Sequence, residues 1–167
     1  MTLCAYALIS HADSNIKPKE GQIFTSVGNW IVMLDYKQKA ALTFVNPTKE
    51  ASEKPQFDLS CFLPNKGSNY DMSLLRTGGF QTDDPQAVHI KVQVDSNSPF
   101  SLEWFHTKDR LITGSPSWLV KEMIEGKSIN LKFRDRNGIQ EYSYDVTGLG
   151  DALKLMHEAC TYNYDNK

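Results

Sequence analysis

The chain has 167 residues, 40% of them apolar, with 18 basic and 20 acidic side chains and a net charge of −2. That length and apolar content suit a single domain with its own core, and the near-balanced charge, without a basic run or zinc-finger spacing, argues against a nucleic-acid partner. No apolar run approaches the roughly 20 residues a membrane-spanning helix needs.

The chain begins with an apolar segment, Leu3-Cys4-Ala5-Tyr6-Ala7-Leu8-Ile9, and Ser10-His11-Ala12 resembles the small-x-small end of a signal peptide. Read as a signal remnant, it would be cleaved after Ala12, and residues 1–20 would form a leader ahead of one domain over 21–167. It lacks a basic n-region, and its residue types also suit an ordinary first strand. Both readings stay open.

From there the pattern is almost entirely strand. Gln22 to Val27, Trp30 to Tyr36, Ala41 to Val45, Phe57 to Leu63, Met72 to Thr77, Val88 to Val94 and Phe100 to His106 are short and rich in β-branched and aromatic residues. Gly, Pro, Asn and Asp clusters separate them. Val88, Ile90, Val92 and Val94 alternate with His89, Lys91 and Gln93, as a strand buried on one face requires. Trp104 alternates with Phe100 and Leu102 and is expected in the core, leaving Phe105 on the other face. The polar stretches Asn46 to Gln56 and Asn65 to Tyr70 read as loops, and Asn46, Lys49, Glu53, Asn65, Lys66 and Asn69 are the candidate contact residues they carry.

The last third is the most structured part. Ser115 is expected as N-cap of a helix over about 116–125, with Pro116 at its first position and Gly126 past its end. Ser128 to Arg134 alternates strictly, Asn137-Gly138 suits a type I′ turn, and Gln140 to Val146 returns with Tyr142, Tyr144 and Val146 on one face. A second helix over about 149–160 carries Leu149, Ala152, Leu153, Met156, Ala159 and Cys160 as one apolar stripe. The fold class expected is mainly β: an antiparallel sandwich or barrel-like domain capped by two helices.

Removal of Cys4 with a signal would leave Cys61 and Cys160, an even pair that an oxidising compartment would join. Such a bridge closes a loop of roughly 100 residues, worth on the order of 4 to 5 kcal/mol in the chain-entropy model. The alternative is two unrelated buried thiols in a cytoplasmic protein.

Signatures of chemistry are sparse. His11, His89, His106 and His157 lie far apart, without His-x-x-x-His or Cys-x-x-Cys spacing, so no metal or other cofactor is expected. Asp83-Asp84 before Pro85 reads as a solvated turn. Ser115 lacks a nucleophile elbow, and Gly78-Gly79 reads as a turn or bulge. A small hydrolase would have to use Cys61 with His89 or His106, or an acidic pair such as Asp83 or Asp84 with Glu103. No residue is assigned a catalytic role, and the chain is expected not to be an enzyme.

Several short motifs carry a resemblance. Gly28-Asn29-Trp30, Phe57-Asp58-Leu59-Ser60-Cys61, Val92-Gln93-Val94-Asp95, Trp118-Leu119 and Gly148-Leu149-Gly150-Asp151-Ala152-Leu153 through Cys160 together resemble the invasion-associated locus B family. They are also similar to a related group of periplasmic type VI secretion accessory proteins. The likeness spans roughly Val27 to Tyr162. Ala40-Ala41 stands where such proteins commonly have an early cysteine, and their mid-chain Gly-Cys pair is missing here. The resemblance implies a periplasmic or secreted β-sandwich of the bacterial envelope that acts by contact with a protein partner in host interaction or secretion. A periplasmic inhibitor or immunity-type module, inserting one of the two loops into an enzyme, is an alternative of a different class.

Overall fold

The computed structural model describes residues 21–35, 40–45, 54–62 and 70–161. The leader, the six candidate contact residues Asn46, Lys49, Glu53, Asn65, Lys66 and Asn69, and the side chain of Cys160 lie outside the described residues.

Ten strands form one antiparallel sheet among the described residues. They are β1 (Gln22–Val27), β2 (Trp30–Asp35), β3 (Ala40–Val45), β4 (Gln56–Phe62), β5 (Asp71–Leu75), β6 (Ala87–Val94), β7 (Phe100–His106), β8 (Arg110–Gly114), β9 (Ser128–Asp135) and β10 (Gly138–Asp145). Their spatial order is β1-β2-β3-β4-β5-β8-β7-β6-β9-β10. The chain therefore runs as a meander to β5, skips outward to β6, and returns through β7 to β8 beside β5, so that the outer side of β6 is free to pair with β9.

The sheet curls into a half-barrel. Tyr144 of β10 stacks 5.2 Å from Phe57 of β4, and its hydroxyl donates to the Pro55 carbonyl at 2.7 Å. The last strand thus comes back over the first half of the sheet. The concave side collects Trp30, Val32, Phe57, Leu59, Met72, Leu74, Ile90, Val92, Trp104, Leu111, Ile129 and Leu131, all fully buried. Period-two alternation puts them there: in β6 Ile90, Val92 and Val94 are buried while His89 and Lys91 are exposed.

Helix α1 (Ser117–Glu125) follows β8, and α2 (Leu149–Thr161) follows β10. α2 lies mainly on β2 and β3, and its buried Leu149, Ala152, Leu153 and Met156 join the same core. The three-and-four spacing of its apolar residues is what places that stripe inward.

Local details differ from expectation in four places. The strand Arg110–Gly114 was not expected, since only Leu111-Ile112-Thr113 announces it. Ser115 is not the N-cap. Pro116 occupies that position, its carbonyl accepting from the Leu119 and Val120 amides, while the Ser115 hydroxyl and amide both donate to the Tyr70 carbonyl. The hairpin corner falls on Arg136 and Asn137, without positive φ at Asn137; Gly138 follows at φ 116°. The Asp135 carboxylate accepts from the Asn137 amide at 2.7 Å, holding this corner and displacing the type I′ geometry.

Gly126 does end α1, but in extended backbone with φ −90° rather than the left-handed region. Its reason is space. A Cβ there would stand 2.7 Å from Val94 Cγ1 and 3.0 Å from the Glu122 carbonyl oxygen. Gly126→Ala is expected to cost about 1–3 kcal/mol through overpacking, measured as a lowered denaturant midpoint with an unchanged m-value.

Candidate functional site

No cluster of three or more His, Cys, Asp or Glu side chains capable of holding a metal occurs among the described residues. The polar candidates are dispersed. Asp84 accepts from the Gln86 and Ala87 amides and so shapes its own turn. His89 and Glu103 face each other across β6 and β7, both exposed. His106 contacts the Phe80 carbonyl through Nε2 at 3.0 Å, and Cys61 packs, half-buried, against the core.

What the fold does assemble is a closure. The β1–β2 connection is two residues long, with Gly28 at φ 57° in the first corner position, as a type II′ turn requires. Asn29 Nδ2 donates to Asp145 Oδ2 at 2.7 Å, Trp30 Nε1 reaches the Val146 carbonyl at 3.4 Å, and Asp145 Oδ1 accepts from the Thr147 amide at 2.8 Å. A Cβ on Gly148 would lie 3.5 Å from the Val27 carbonyl oxygen and 3.7 Å from the Gly28 Cα. Two of the sequence motifs, Gly28-Asn29-Trp30 and Gly148-Leu149-Gly150, therefore meet, and it is the positive φ at Gly28 and Gly148, 57° and 86°, that calls for glycine on both sides.

The two loops with candidate contact residues spring from anchored bases. Lys54 donates its ammonium to the Ser143 carbonyl and sits 4.2 Å over the Tyr144 ring, while Pro55 is held by the Tyr144 hydroxyl. Burial lowers the Lys54 pKa and pushes the Tyr144 phenol far above its usual range, so the phenol stays a donor at any physiological pH. The other loop re-enters at Tyr70, whose carbonyl is fixed by Ser115. Each loop thus has a fixed point where it rejoins the sheet.

Beside the second base a groove of about 830 Å³ runs between α1 and α2. Tyr70, Val120, Ile124 and Leu153 line it, and the Asp151–Lys154 ion pair, 2.7 Å, stands at its rim. Gly150 forms part of its wall, and a Cβ there would approach Ile124 Cγ2 at 3.2 Å.

Two buried carboxylates lay beyond sequence reading. Asp58, fully buried on β4, accepts from Ser73 and from Arg110 Nη1 at 3.1 Å, and Arg110 also donates to Ser73 Oγ at 2.9 Å. Burial raises the Asp58 pKa, and the hydrogen bonds and the guanidinium offset that only in part. Asp135 accepts from Gln140 Nε2 at 3.0 Å and has Arg76 4.0 Å from its other oxygen. Both carboxylates tie strands together. Asp95, at φ 48°, does the same at the surface: it accepts from the Lys127 and Ser128 amides, which lower its pKa, and so fixes the α1–β9 corner to the end of β6.

In comparisons with known proteins, no family model and no curated protein matches the sequence. In structure the chain is similar to invasion associated protein b from Bartonella henselae, with a TM-score of 0.61 and 13% identity, over 80% of this chain and 95% of that one. At that identity the likeness is one of fold, and it agrees with the half-barrel and helical caps described above.

Proposed function

We propose that this protein is a non-enzymatic periplasmic or secreted envelope protein that works by protein contact, in host interaction or as an accessory of secretion. The observation carrying this reading is the shared fold with an invasion associated protein over 95% of that protein's chain. It supports the invasion-associated resemblance; nothing comparable supports the type VI accessory one. The anchored bases at Lys54-Pro55 and Tyr70 support recognition through the loops that carry Asn46, Lys49, Glu53, Asn65, Lys66 and Asn69.

A Cys61–Cys160 disulfide belongs to the same reading. Cys61 lies half-buried on β4. It faces the core side of β4, and α2, which ends beside Cys160, lies over β2, β3 and β4.

The test is intact mass of the protein produced in a bacterial host with its natural upstream region, alkylated before and after reduction. Loss of the segment through about Ala12, with Cys61 and Cys160 alkylated only after reduction, is expected. An uncleaved N-terminus with all three cysteines alkylated without reduction would reject the envelope assignment.

A further inference from the structure

The two edges of the sheet are unlike each other. On β10, exposed Glu141 and Asp145 line the strand, and the Lys54 ammonium occupies the Ser143 carbonyl. Charges of this kind are how native sheets keep an edge from pairing with another chain. β1, Gln22-Ile23-Phe24-Thr25-Ser26-Val27, has no charged residue and no proline. Among the described residues the one strand paired with it is β2.

The two-residue connection fixes which backbone groups of β1 point outward. It makes Val27 and Trp30 a hydrogen-bonded pair, so in the antiparallel ladder Val27, Thr25 and Ile23 bond to β2. The amides and carbonyls of Phe24 and Ser26 then face away from the sheet, and among the described residues no backbone hydrogen bond outside the ladders involves them. On the concave face, next to this edge, Ile23 is 51% exposed.

We propose that β1 is a self-pairing edge, joining a second copy of this chain across a twofold axis at Thr25. In that register Phe24 lies opposite Ser26 of the second copy, and Ser26 opposite its Phe24. The outward amides and carbonyls of both residues are then satisfied on both chains. Because pairs directly opposite share a face, Ile23 comes beside Val27 of the second copy, covering the exposed isoleucine with a half-buried valine. The twofold places Thr25 against itself as a non-hydrogen-bonded pair, about 4.5 Å between Cα atoms. The second copy is the favoured occupant because this register is complementary on both faces at once and brings no charge to the interface. The ten-stranded sheet would continue through the axis into that of the partner.

The experiment uses the full chain, with molar mass measured by light scattering across a range of protein concentrations. Mass rising toward twice that of one chain is expected, with Phe24→Pro and Ser26→Lys holding the mass at a single chain. Phe24→Pro removes an outward amide that the β1–β2 ladder does not use, so the variant should keep its circular dichroism spectrum. Independently, Thr25→Cys should form a reducible covalent dimer on oxidation, since the Cα spacing lies in the disulfide range, whereas Ile23→Cys should not. A wild-type mass that stays monomeric at every concentration would overturn the proposal, whether the edge is covered by the chain's own residues 1–20 or simply stays solvated. So would a dimer indifferent to both edge substitutions, or equal crosslinking of Thr25→Cys and Ile23→Cys.

Discussion

Replacing Arg110 by Met is expected to lower stability by about 2–4 kcal/mol at neutral pH, most of it from leaving the Asp58 carboxylate without its cation. Asp58 is fully buried, whereas the Arg110 side chain keeps 34% of its surface in water, so the loss falls on the carboxylate more than on the pair. The sign with pH follows from the raised pKa of Asp58, whose first cause is burial. A folded state that holds its proton more tightly than the unfolded chain gains stability from that group below the unfolded value, 3.8, and loses it as pH rises through the higher folded value. Removing Arg110 raises the folded pKa further. The difference between Arg110→Met and wild type should therefore shrink on acidification, and urea midpoints taken at neutral and mildly acidic pH would measure it. Asp58→Asn should flatten this part of the pH profile, since nothing at the position then titrates. A penalty for Arg110→Met that is the same at both pH values would mean that the guanidinium acts through packing alone.

Much of the fold was legible in the sequence where one period dominates. Ser128 to Arg134 announced β9 because Ile129, Leu131 and Phe133 alternate with polar residues, and the stripe from Leu149 to Met156 announced α2 and its inward face. β8 was missed because five residues between Asp109 and Ser115 offer too short a pattern, although Leu111 proves to be fully buried. Asp58 stood out only as part of the motif Phe57-Asp58-Leu59-Ser60-Cys61, with no partner assigned to it. Only the sheet's return through β8 brings Arg110 to it from 52 residues away, and no local pattern encodes that partner. The glycine motifs at 28 and 148 stood out individually, yet their contact depends on the curl of the whole sheet. The candidate contact residues fall in the segments joining β3 to β4 and β4 to β5, outside the described residues. What anchors those loops, Tyr144 against Pro55 and Ser115 against Tyr70, is again long-range and was not visible.

Trp30→Ala should have the largest effect of any single truncation, about 3–5 kcal/mol. Trp30 is fully buried where β2, β4 and the β10–α2 connection converge, with its ring 6.3 Å from Phe57, which in turn stacks on Tyr144. Truncation opens a cavity under the closure, next to Gly148, where an added Cβ would stand 3.9 Å from Trp30 Cδ1. The indole also donates to the Val146 carbonyl, but at 3.4 Å this is a long hydrogen bond. Trp30→Phe keeps most of the packing and isolates that bond, with an expected loss of about 0.5–1.5 kcal/mol beyond the smaller ring's effect. Asn29→Ala, which removes the exposed bond to Asp145, should stay within about 0.5 kcal/mol. If closure of the half-barrel depends on the buried aromatic column, Trp30→Ala should speed amide hydrogen exchange in β10 and the start of α2 more than in β6 and β7. Equal acceleration across the sheet would show instead that the two halves unfold as one unit, and that Trp30 contributes to global stability without a special place in the closure.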